Sequence, residues 1–314
     1  MSEPRRIGSD SIGAEGRDVM KIARFNGGRI GIVVDDTIRD VTMAAGVDPA
    51  EWPPVGPLRL IANFPALREP LAAAARSAAP VKLDEVRLET PVPWPNKVVA
   101  FPTNYRDHAA EMGSTTHADL QGFFLKASSS LSGPHDPIEV PDVPGREVHH
   151  ECEIALVIGK QGRRIPAAQA FDYLFGYACL LDITIRGKEE RVMRKSLDTF
   201  TPVGPWIVTA DEIADPANIR MRLWVNGEKR QEASTKDLIV DIARMIEIAS
   251  SVSTLFPGDL IATGTPAGVG PIRAGDTVTI EVDGIGRMSV PVVAAASGAD
   301  QVFSAPYVFK RAPV

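Results

Sequence analysis

Short segments of alternating apolar and polar residues lie close to the start of the chain. From residue 21 the sequence reads KIARF-NGG-RIGIVV-DD-TIRDV, so three apolar stretches are separated by Asn26-Gly27-Gly28 and Asp35-Asp36. Alternation with a period of two is typical of half-buried strands, and Asn-Gly is a strong signal for a tight hairpin turn. The pattern therefore predicts a small antiparallel β-domain in this region.

The rest of the chain combines many short apolar segments with few helical ones. Beyond residue 96 most apolar segments are β-branched, and turn sequences such as Pro257-Gly258-Asp259 separate them. The expected strands are 97–101, 152–158, 206–209, 221–225, 260–263, 277–282 and 288–293. Helical spacing is found at 65–79, 104–112, 186–193 and 235–249. We predict an α+β, β-dominated fold with peripheral helices.

Composition along the chain predicts three regions. Residues 1–19 are rich in Gly, Ser and charged residues without apolar periodicity, which is typical of a disordered tail. Prolines at 91, 93 and 95 indicate an extended linker, so we expect a boundary near residue 92. The predicted regions are a tail (1–19), a small N-terminal domain (20–92) and a large domain (93–314).

Charge and cysteine content narrow the functional classes. The 314 residues carry 34 Lys and Arg against 40 Asp and Glu, a formal charge of −6, with no basic cluster that could follow a phosphate backbone. Nucleic-acid binding is therefore not expected. The chain has two cysteines, no N-terminal apolar h-region and no long uncharged apolar run, which predicts a cytoplasmic protein that does not enter a membrane.

A group of carboxylates offers the first candidate chemistry. Glu151 and Glu153 flank Cys152 on a predicted strand, so their side chains share one face, and Asp182 follows another apolar stretch. Two carboxylates on a buried face repel each other unless a cation lies between them. Oxygen ligands of this kind suit Mg²⁺, Mn²⁺ or Ca²⁺ better than Zn²⁺. A strand whose Glu-x-Glu face is simply solvated is the alternative that these residues leave open.

A second candidate element is the segment N-Y-R-D-H-A-A-E-M-G at 104–113, which has the pattern of a short helix ended by glycine. His108 and Glu111 are three residues apart and would share one face of that helix. A carboxylate beside an imidazole fixes the tautomer and makes the ring a better base, so the pair could take a proton from water. An ordinary surface pair on a helix fits the same pattern.

Taken in order, the segments from about residue 97 to 293 resemble the fumarylacetoacetate hydrolase family. The resemblance rests on N-Y-R-D-H-A-A-E (104–111), F-F-L-K (123–126), S-S-L-S-G-P (129–134), E-C-E-I-A-L-V-I-G (151–159), D-I-T-I-R (182–186), K-S-L-D-T-F-T-P-V-G-P-W (195–206), V-N-G-E-K-R-Q (225–231) and P-G-D-L-I-A-T-G-T-P-A-G-V-G (257–270). Each motif is weak by itself, but their order along the chain is specific. The resemblance implies a catalytic domain of mixed β-roll and β-sandwich type and a homodimer packed through it.

The resemblance also implies catalytic roles. Glu151, Glu153 and Asp182 match the positions that hold a Mg²⁺-like ion in this family. His108 matches its general base, and Glu111 matches the glutamate partner of that base. The metal interpretation of the carboxylate group is therefore preferred over a solvated strand.

Further residues are implied to face an oxo-acid substrate. Lys195, which precedes S-L-D-T-F, would stabilise a developing oxyanion. The residues expected to contact the substrate are Tyr105, Lys126, Arg186, Glu189 and Thr265. The chain reads R-G-K-E at 186–189, where many members of the family have R-D-x-Q. If the glutamine contacts substrate, a glutamate in its place changes the charge that faces the ligand.

Three functional hypotheses follow. The first is hydrolysis of a C–C bond in a 2,4-dioxo acid, such as an acylpyruvate of aromatic-compound or sugar-acid catabolism, and the presence of both His108 and Glu111 favours it. The second is isomerisation or decarboxylation of a 2-oxo or 2-hydroxydienoic diacid, or of oxaloacetate, at the same metal. The third is a ligand-binding protein without catalysis, which the retention of every metal ligand argues against.

Overall fold

The computed structural model describes residues 20–296 and Phe303. The predicted disordered tail, residues 1–19, lies outside the described residues. Within them the strands form three sheets, and helices are peripheral to these. The predicted α+β, β-dominated class is thus confirmed. None of the helices in this part of the chain has the length and apolarity needed to cross a bilayer.

The elements of the described residues have the following bounds. The strands are β1 Lys21–Phe25, β2 Arg29–Val34, β3 Thr37–Asp40, β4 Pro80–Lys82, β5 Leu88–Glu89, β6 Val98–Ala100, β7 Phe124–Lys126, β8 Leu131–Ser132, β9 Ile138–Val140, β10 Val148–His150, β11 Cys152–Ile158, β12 Leu174–Leu181, β13 Thr184–Ile185, β14 Thr201–Thr209, β15 Arg220–Val225, β16 Glu228–Ser234, β17 Leu260–Ala262, β18 Gly270–Pro271, β19 Thr277–Val282 and β20 Gly286–Ala294. The α-helices are α1 Thr42–Ala45, α2 Gly56–Ala62, α3 Phe64–Ser77, α4 Arg106–Glu111, α5 Ala118–Gln121, α6 Arg191–Lys195 and α7 Ile242–Val252.

The first three strands form the meander that the alternating pattern predicts. β1 pairs antiparallel with β2, and β2 with β3. Asn26 and Gly27 have the positive φ values, 42° and 81°, that a tight hairpin turn requires. β1 also pairs with β14, with Lys21 opposite Val208. The N-terminal strands therefore extend the same sheet as strands of the larger part, and the domain boundary near residue 92 stays a prediction.

Strand β11 lies near the middle of the largest sheet, whose order is β4-β3-β2-β1-β14-β12-β11-β17-β6-β7. Alternate side chains of β11 enter two cores. Ile154 and Leu156 pack in the core shared with β15 and β19, whereas Ala155 and Val157 pack with residues of the N-terminal segment. Both faces of the strand are buried, so Glu153 is a carboxylate in an otherwise apolar strand.

Two helices begin later than the sequence pattern predicts. The helix expected at 186–193 begins at Arg191 and continues to Lys195, which brings the lysine onto its last turn. The helix expected at 235–249 begins at Ile242, because the Asp241 side chain accepts a hydrogen bond from the Arg244 N–H at 2.8 Å and caps it there. The first shift matters for the site, since α6 lies beside the carboxylates.

Candidate active site

Three buried carboxylates meet where the central strands end. Glu151 and Glu153 lie on either side of Cys152, the first residue of β11, and Asp182 directly follows the paired strand β12. The Asp182 N–H donates to the carbonyl of Glu151 at 3.0 Å, which holds the two ends together. One oxygen of each carboxylate lies within 4.8 Å of the others. The i, i+2 spacing and the strand-end position predict this arrangement.

Two buried lysines contact this carboxylate cluster. Lys195 Nζ lies 2.6 Å from Glu151 Oε2 and 2.6 Å from Asp182 Oδ2. Lys126 Nζ donates to Asp182 Oδ1 and, at 3.0 Å, to the carbonyl of Phe200. In a medium of low polarity such pairs offset the cost of burying both charges when further hydrogen bonds complete them. Asp182 and Glu151 are therefore compensated by neighbouring cations.

Glu153 is the least compensated member of the cluster. Its Oε2 accepts a hydrogen bond from the Gly264 N–H at 2.8 Å, and within residues 20–296 it forms no ion pair. Burial, together with the Asp182 and Glu151 carboxylates, raises the pKa of Glu153 well above its ordinary value. Burial acts in the same direction on Glu151 and is the largest single influence there, but Lys195, Arg186 and His108 together outweigh it, so the pKa of Glu151 is lowered.

The cluster fits a hard divalent cation. Its three side chains offer carboxylate oxygens, the ligands that Mg²⁺, Mn²⁺ and Ca²⁺ prefer, and these oxygens are close enough to share one ion. The cluster includes neither a thiolate nor an imidazole, which disfavours Zn²⁺. A cation would also neutralise Glu153, which the described side chains leave without an opposite charge.

Arg186 approaches the cluster from the end of β13. Its Nη2 lies 3.2 Å from Glu151 Oε1, and its Nε donates to His149 Nδ1 at 3.0 Å. The other ring nitrogen of His149 lies 2.9 Å from Glu147 Oε2. His149 therefore orients Arg186 and does not contribute a metal ligand.

Gln231 is a supporting residue that sequence reasoning did not single out, although it ends the V-N-G-E-K-R-Q motif. Its Oε1 accepts a hydrogen bond from the Cys152 N–H at 3.0 Å and lies 3.1 Å from His150 Nδ1. Its Nε2 donates to Thr265 Oγ1 at 2.8 Å, so the threonine keeps its own proton for a ligand. Burial lowers the pKa of His150 to about 4, which keeps this imidazole neutral.

The contact between His108 and Glu111 forms as the i, i+3 spacing predicts. His108 Nδ1 lies 3.2 Å from Glu111 Oε2 on α4. The Gly268 N–H, 3.2 Å from each Glu111 oxygen, holds the carboxylate in place. Gly268 has a φ of +97°, and a Cβ there would lie 2.0 Å from the Arg230 carbonyl oxygen, so the turn requires glycine. In the described part of the chain, His108 Nε2 has no hydrogen-bond partner.

A pocket of about 270 Å³ joins the carboxylate cluster to the histidine. Of the residues predicted from sequence, those on its wall are Glu151, Glu153, Asp182, His108, Arg186, Lys195 and Thr265. Arg191 and Arg194 of α6 also line it, and the sequence analysis gave neither a role. A larger cavity of about 620 Å³ lies between α3 and β12, away from the cluster.

Tyr105, Lys126 and Glu189, predicted to contact substrate, do not lie on the wall of this pocket. Tyr105 is enclosed in the large core, where its hydroxyl has no hydrogen-bond partner among the described residues. Lys126 lies behind Asp182. Glu189 forms a two-point ion pair with Arg146, at 2.7 and 2.9 Å, and these hydrogen bonds lower its pKa to about 2. The geometry does not support direct substrate contact by these three side chains.

Comparison with known proteins identifies the family of this chain. The family model described as fumarylacetoacetate (FAA) hydrolase, C-terminal, matches residues 97–293, which is more than half of the chain. The chain belongs to the fumarylacetoacetate hydrolase family. The matched segment includes the three carboxylates of the cluster and every residue of α4 and α6.

Several relatives have named activities. The chain is 42% identical over 285 residues to maleylpyruvate hydrolase of Aquipseudomonas alcaligenes, covering 87% of this chain and 99% of the relative. The structure of maleylpyruvate hydrolase from Sphingobium sp. SYK-6, in complex with manganese(II) ion and pyruvate, matches with a TM-score of 0.82 and 52% identity, over 88% of this chain and all of that chain. Oxaloacetate tautomerase YisK of Bacillus subtilis is 40% identical over 222 residues, 66% of this chain and 73% of the relative.

These comparisons confirm that the protein is an enzyme of the fumarylacetoacetate hydrolase family. Among the activities of these relatives, hydrolysis is the best supported, because maleylpyruvate hydrolases match the chain over nearly their whole length. The manganese(II) ion in the Sphingobium structure and the buried Glu151, Glu153 and Asp182 support dependence on a divalent metal.

Proposed function

We propose that this enzyme hydrolyses a C–C bond of a 2,4-dioxo acid, an acylpyruvate such as maleylpyruvate or fumarylpyruvate. The observation that carries the proposal is a three-carboxylate metal site in one pocket with a histidine that a glutamate orients. Two maleylpyruvate hydrolases among the relatives support this substrate class. Mg²⁺ or Mn²⁺ is proposed as the resident ion, because both prefer carboxylate oxygens.

The chain's own residues activate the water. Bound by the three carboxylates, a divalent cation supplies Lewis-acid stabilisation of negative charge on the 2-oxo acid portion of the substrate. Glu111 holds His108 Nδ1, which leaves Nε2 free to take a proton from the attacking water. Hydroxide adds to the C4 carbonyl, the C3–C4 bond breaks with its electron pair left on C3, and the proton that His108 took from water is delivered to C3, so the products are pyruvate and a carboxylic acid.

Lys195 is proposed to stabilise the oxyanion that develops at C4. Its ammonium group has three N–H donors, of which Glu151 and Asp182 use two, and the residue lines the pocket. The third donor can meet a developing oxyanion, where the low polarity of the site strengthens the interaction. Thr265, whose hydroxyl accepts from Gln231, is proposed to donate to a substrate carboxylate.

Isomerisation or decarboxylation at the same site is the second candidate function. The 40% identity to an oxaloacetate tautomerase favours it, because proton transfer on an enolate requires the metal site but no attack by water. The 3.2 Å contact between His108 and Glu111 favours hydrolysis, because this pair is arranged to activate a water molecule.

Two further proposals concern the oligomeric state and the cellular location of the protein. We propose a homodimer packed through the large β-domain, as the family resemblance implies, and sedimentation velocity of the purified protein would measure it. Cytoplasmic location is proposed from Cys152 and Cys179, which are buried free thiols and fit a reducing compartment.

Metal-stripped protein tests the proposed hydrolysis. The enzyme is treated with EDTA, resupplied with Mg²⁺ or Mn²⁺, and assayed on acetylpyruvate, maleylpyruvate, fumarylpyruvate and oxaloacetate, with ultraviolet absorbance and released pyruvate as readouts. We expect metal-dependent pyruvate release from an acylpyruvate, lost in Glu153→Ala and retained in Glu139→Ala, which changes an exposed strand glutamate. Turnover of oxaloacetate without cleavage of any acylpyruvate would replace hydrolysis by the second candidate.

A further inference from the structure

Helix α6 presents three cations to the pocket. Arg191, Arg194 and Lys195 occupy positions i, i+3 and i+4 of this single-turn helix, so their side chains share one face. All three line the pocket, whereas the intervening Val192 and Met193 are exposed to solvent. The helix therefore directs a concentrated positive charge toward whatever binds there.

The three cations differ in what compensates them. Lys195 is paired with Glu151 and Asp182. Arg191 donates to the side-chain amide oxygen of Gln121, a neutral group. Arg194 donates to the carbonyl of Glu189 at 3.1 Å and to the Thr184 hydroxyl at 3.0 Å, which are also neutral.

Neither arginine forms an ion pair within residues 20–296. Both arginine residues are half-buried. A guanidinium in that setting is best matched by a carboxylate, which it can bind through two parallel hydrogen bonds. The outer part of α6 therefore has the chemistry of a carboxylate site that no side chain of residues 20–296 fills.

The position of this charge relative to the reaction suggests which carboxylate it meets. Lys195, at the inner end of α6, contacts the carboxylate cluster. Arg191 lies four residues earlier, about 6 Å further along the helix axis, next to Gln121 of α5. Because Arg191 and Arg194 line the same pocket as the cluster and His108, the distal group of a 2,4-dioxo acid bound there can extend along the wall toward this outer end.

We propose that Arg191 and Arg194 bind the distal carboxylate of a dicarboxylic substrate, so that the enzyme selects 2,4-dioxo diacids over monoacids of the same reacting core. The proposal rests on the proposed function and names the substrate class within it. It assigns the two arginines a role in specificity and leaves bond cleavage to His108, Lys195 and the metal site.

Fumarylpyruvate and acetylpyruvate separate binding of the distal group from bond cleavage. They share the reacting carbons, but the group on C4 is a carboxyvinyl group in the first and a methyl group without a charge in the second. We expect Arg191→Met and Arg194→Met each to lower kcat/KM for fumarylpyruvate by about tenfold to a hundredfold, as for the loss of a charge-assisted hydrogen-bonded pair. Activity on acetylpyruvate should stay within about twofold, which also shows that the variant is folded. If Arg194→Met does not fold, Arg194→Lys should give a smaller loss that is again confined to the diacid.

Lys188→Met is the matched control. Lys188 is exposed, lies three residues before Arg191 and does not line the pocket, so its loss removes one positive charge from the same segment without removing a proposed contact. It should leave the preference for fumarylpyruvate unchanged. An equal loss in Lys188→Met and Arg191→Met would mean that net charge, and not a binding site, sets the preference, which would overturn the proposal.

Two further outcomes would overturn it, namely equal losses on both substrates and no loss on either. If the wild type cleaves no acylpyruvate, maleylpyruvate included, the proposed function fails, and calorimetric binding to the Mn²⁺-loaded protein then decides the arginine assignment separately. Tighter binding of fumarylpyruvate than of acetylpyruvate, removed by Arg191→Met, would support it. Equal binding of the two acids would overturn it.

Discussion

Asp259, directly before β17, and Glu153, on β11, are both buried carboxylates, but their surroundings are opposite. Asp259 Oδ1 accepts from the Lys97 N–H at 3.0 Å, while its Oδ2 accepts from the Lys97 ammonium at 2.5 Å and from the Phe256 N–H at 2.8 Å. Glu153 accepts from the Gly264 N–H and otherwise has two carboxylates as neighbours.

The comparison separates a structural carboxylate from one that is placed for a ligand. Three donors surround Asp259, so it fastens the start of β6 to the turn before β17 and needs nothing further. Glu153 is buried at a cost that the described protein atoms do not recover, and such a cost is found where a site is completed by an ion or substrate. Both residues are buried, so burial does not distinguish them. The number of hydrogen-bond donors around each carboxylate does.

The largest effect on stability is expected from Asp259→Asn. This change leaves the Lys97 ammonium, whose side chain is 11% exposed, without its opposite charge. We expect a loss of about 3 kcal/mol in the free energy of unfolding, measured by urea denaturation, with kcat/KM of the folded enzyme within about twofold of wild type. Asp84→Asn, at an exposed position, is the control and should change stability by less than about 0.5 kcal/mol. An unchanged stability in Asp259→Asn would show that its donors do not hold the fold.

Metal binding should stabilise the protein through Glu153 and not through Asp259. At a free Mn²⁺ concentration one hundred times Kd, linkage predicts about 2.7 kcal/mol of added stability for the wild type. Thermal unfolding with and without Mn²⁺ measures this increment, which Glu153→Gln should abolish and Asp259→Asn should retain. Equal increments in the two variants would contradict the distinction between the two carboxylates.

The smallest effect is expected from Glu153→Gln in the absence of metal. Glutamine removes one of three neighbouring like charges and still offers an oxygen to the Gly264 N–H. We expect the free energy of unfolding in EDTA to rise by up to about 1 kcal/mol, whereas replacing a structural carboxylate lowers it. A loss of about 2 kcal/mol or more, measured by urea denaturation, would place Glu153 with Asp259 as a structural residue.

The parts of the site that could be predicted from sequence are those that local backbone geometry controls. The i, i+2 spacing of Glu151 and Glu153 on a strand and the i, i+3 spacing of His108 and Glu111 on a helix each fix a common face, whatever surrounds them. The alternation of apolar residues similarly predicted the meander at the start of the described chain, and the continuous apolar run at 152–158 predicted β11.

Tertiary structure decided which side chains reach the pocket. Glu189 is turned away because Arg146, 43 residues earlier in the chain, binds its carboxylate. Lys126 is held behind Asp182. Arg191 and Arg194 line the pocket from α6, which begins later than its sequence pattern indicates. Sequence by itself determined the residue types and their local faces. Which distant charges form pairs depends on the tertiary structure, because the order of residues along the chain gives no distances between remote segments.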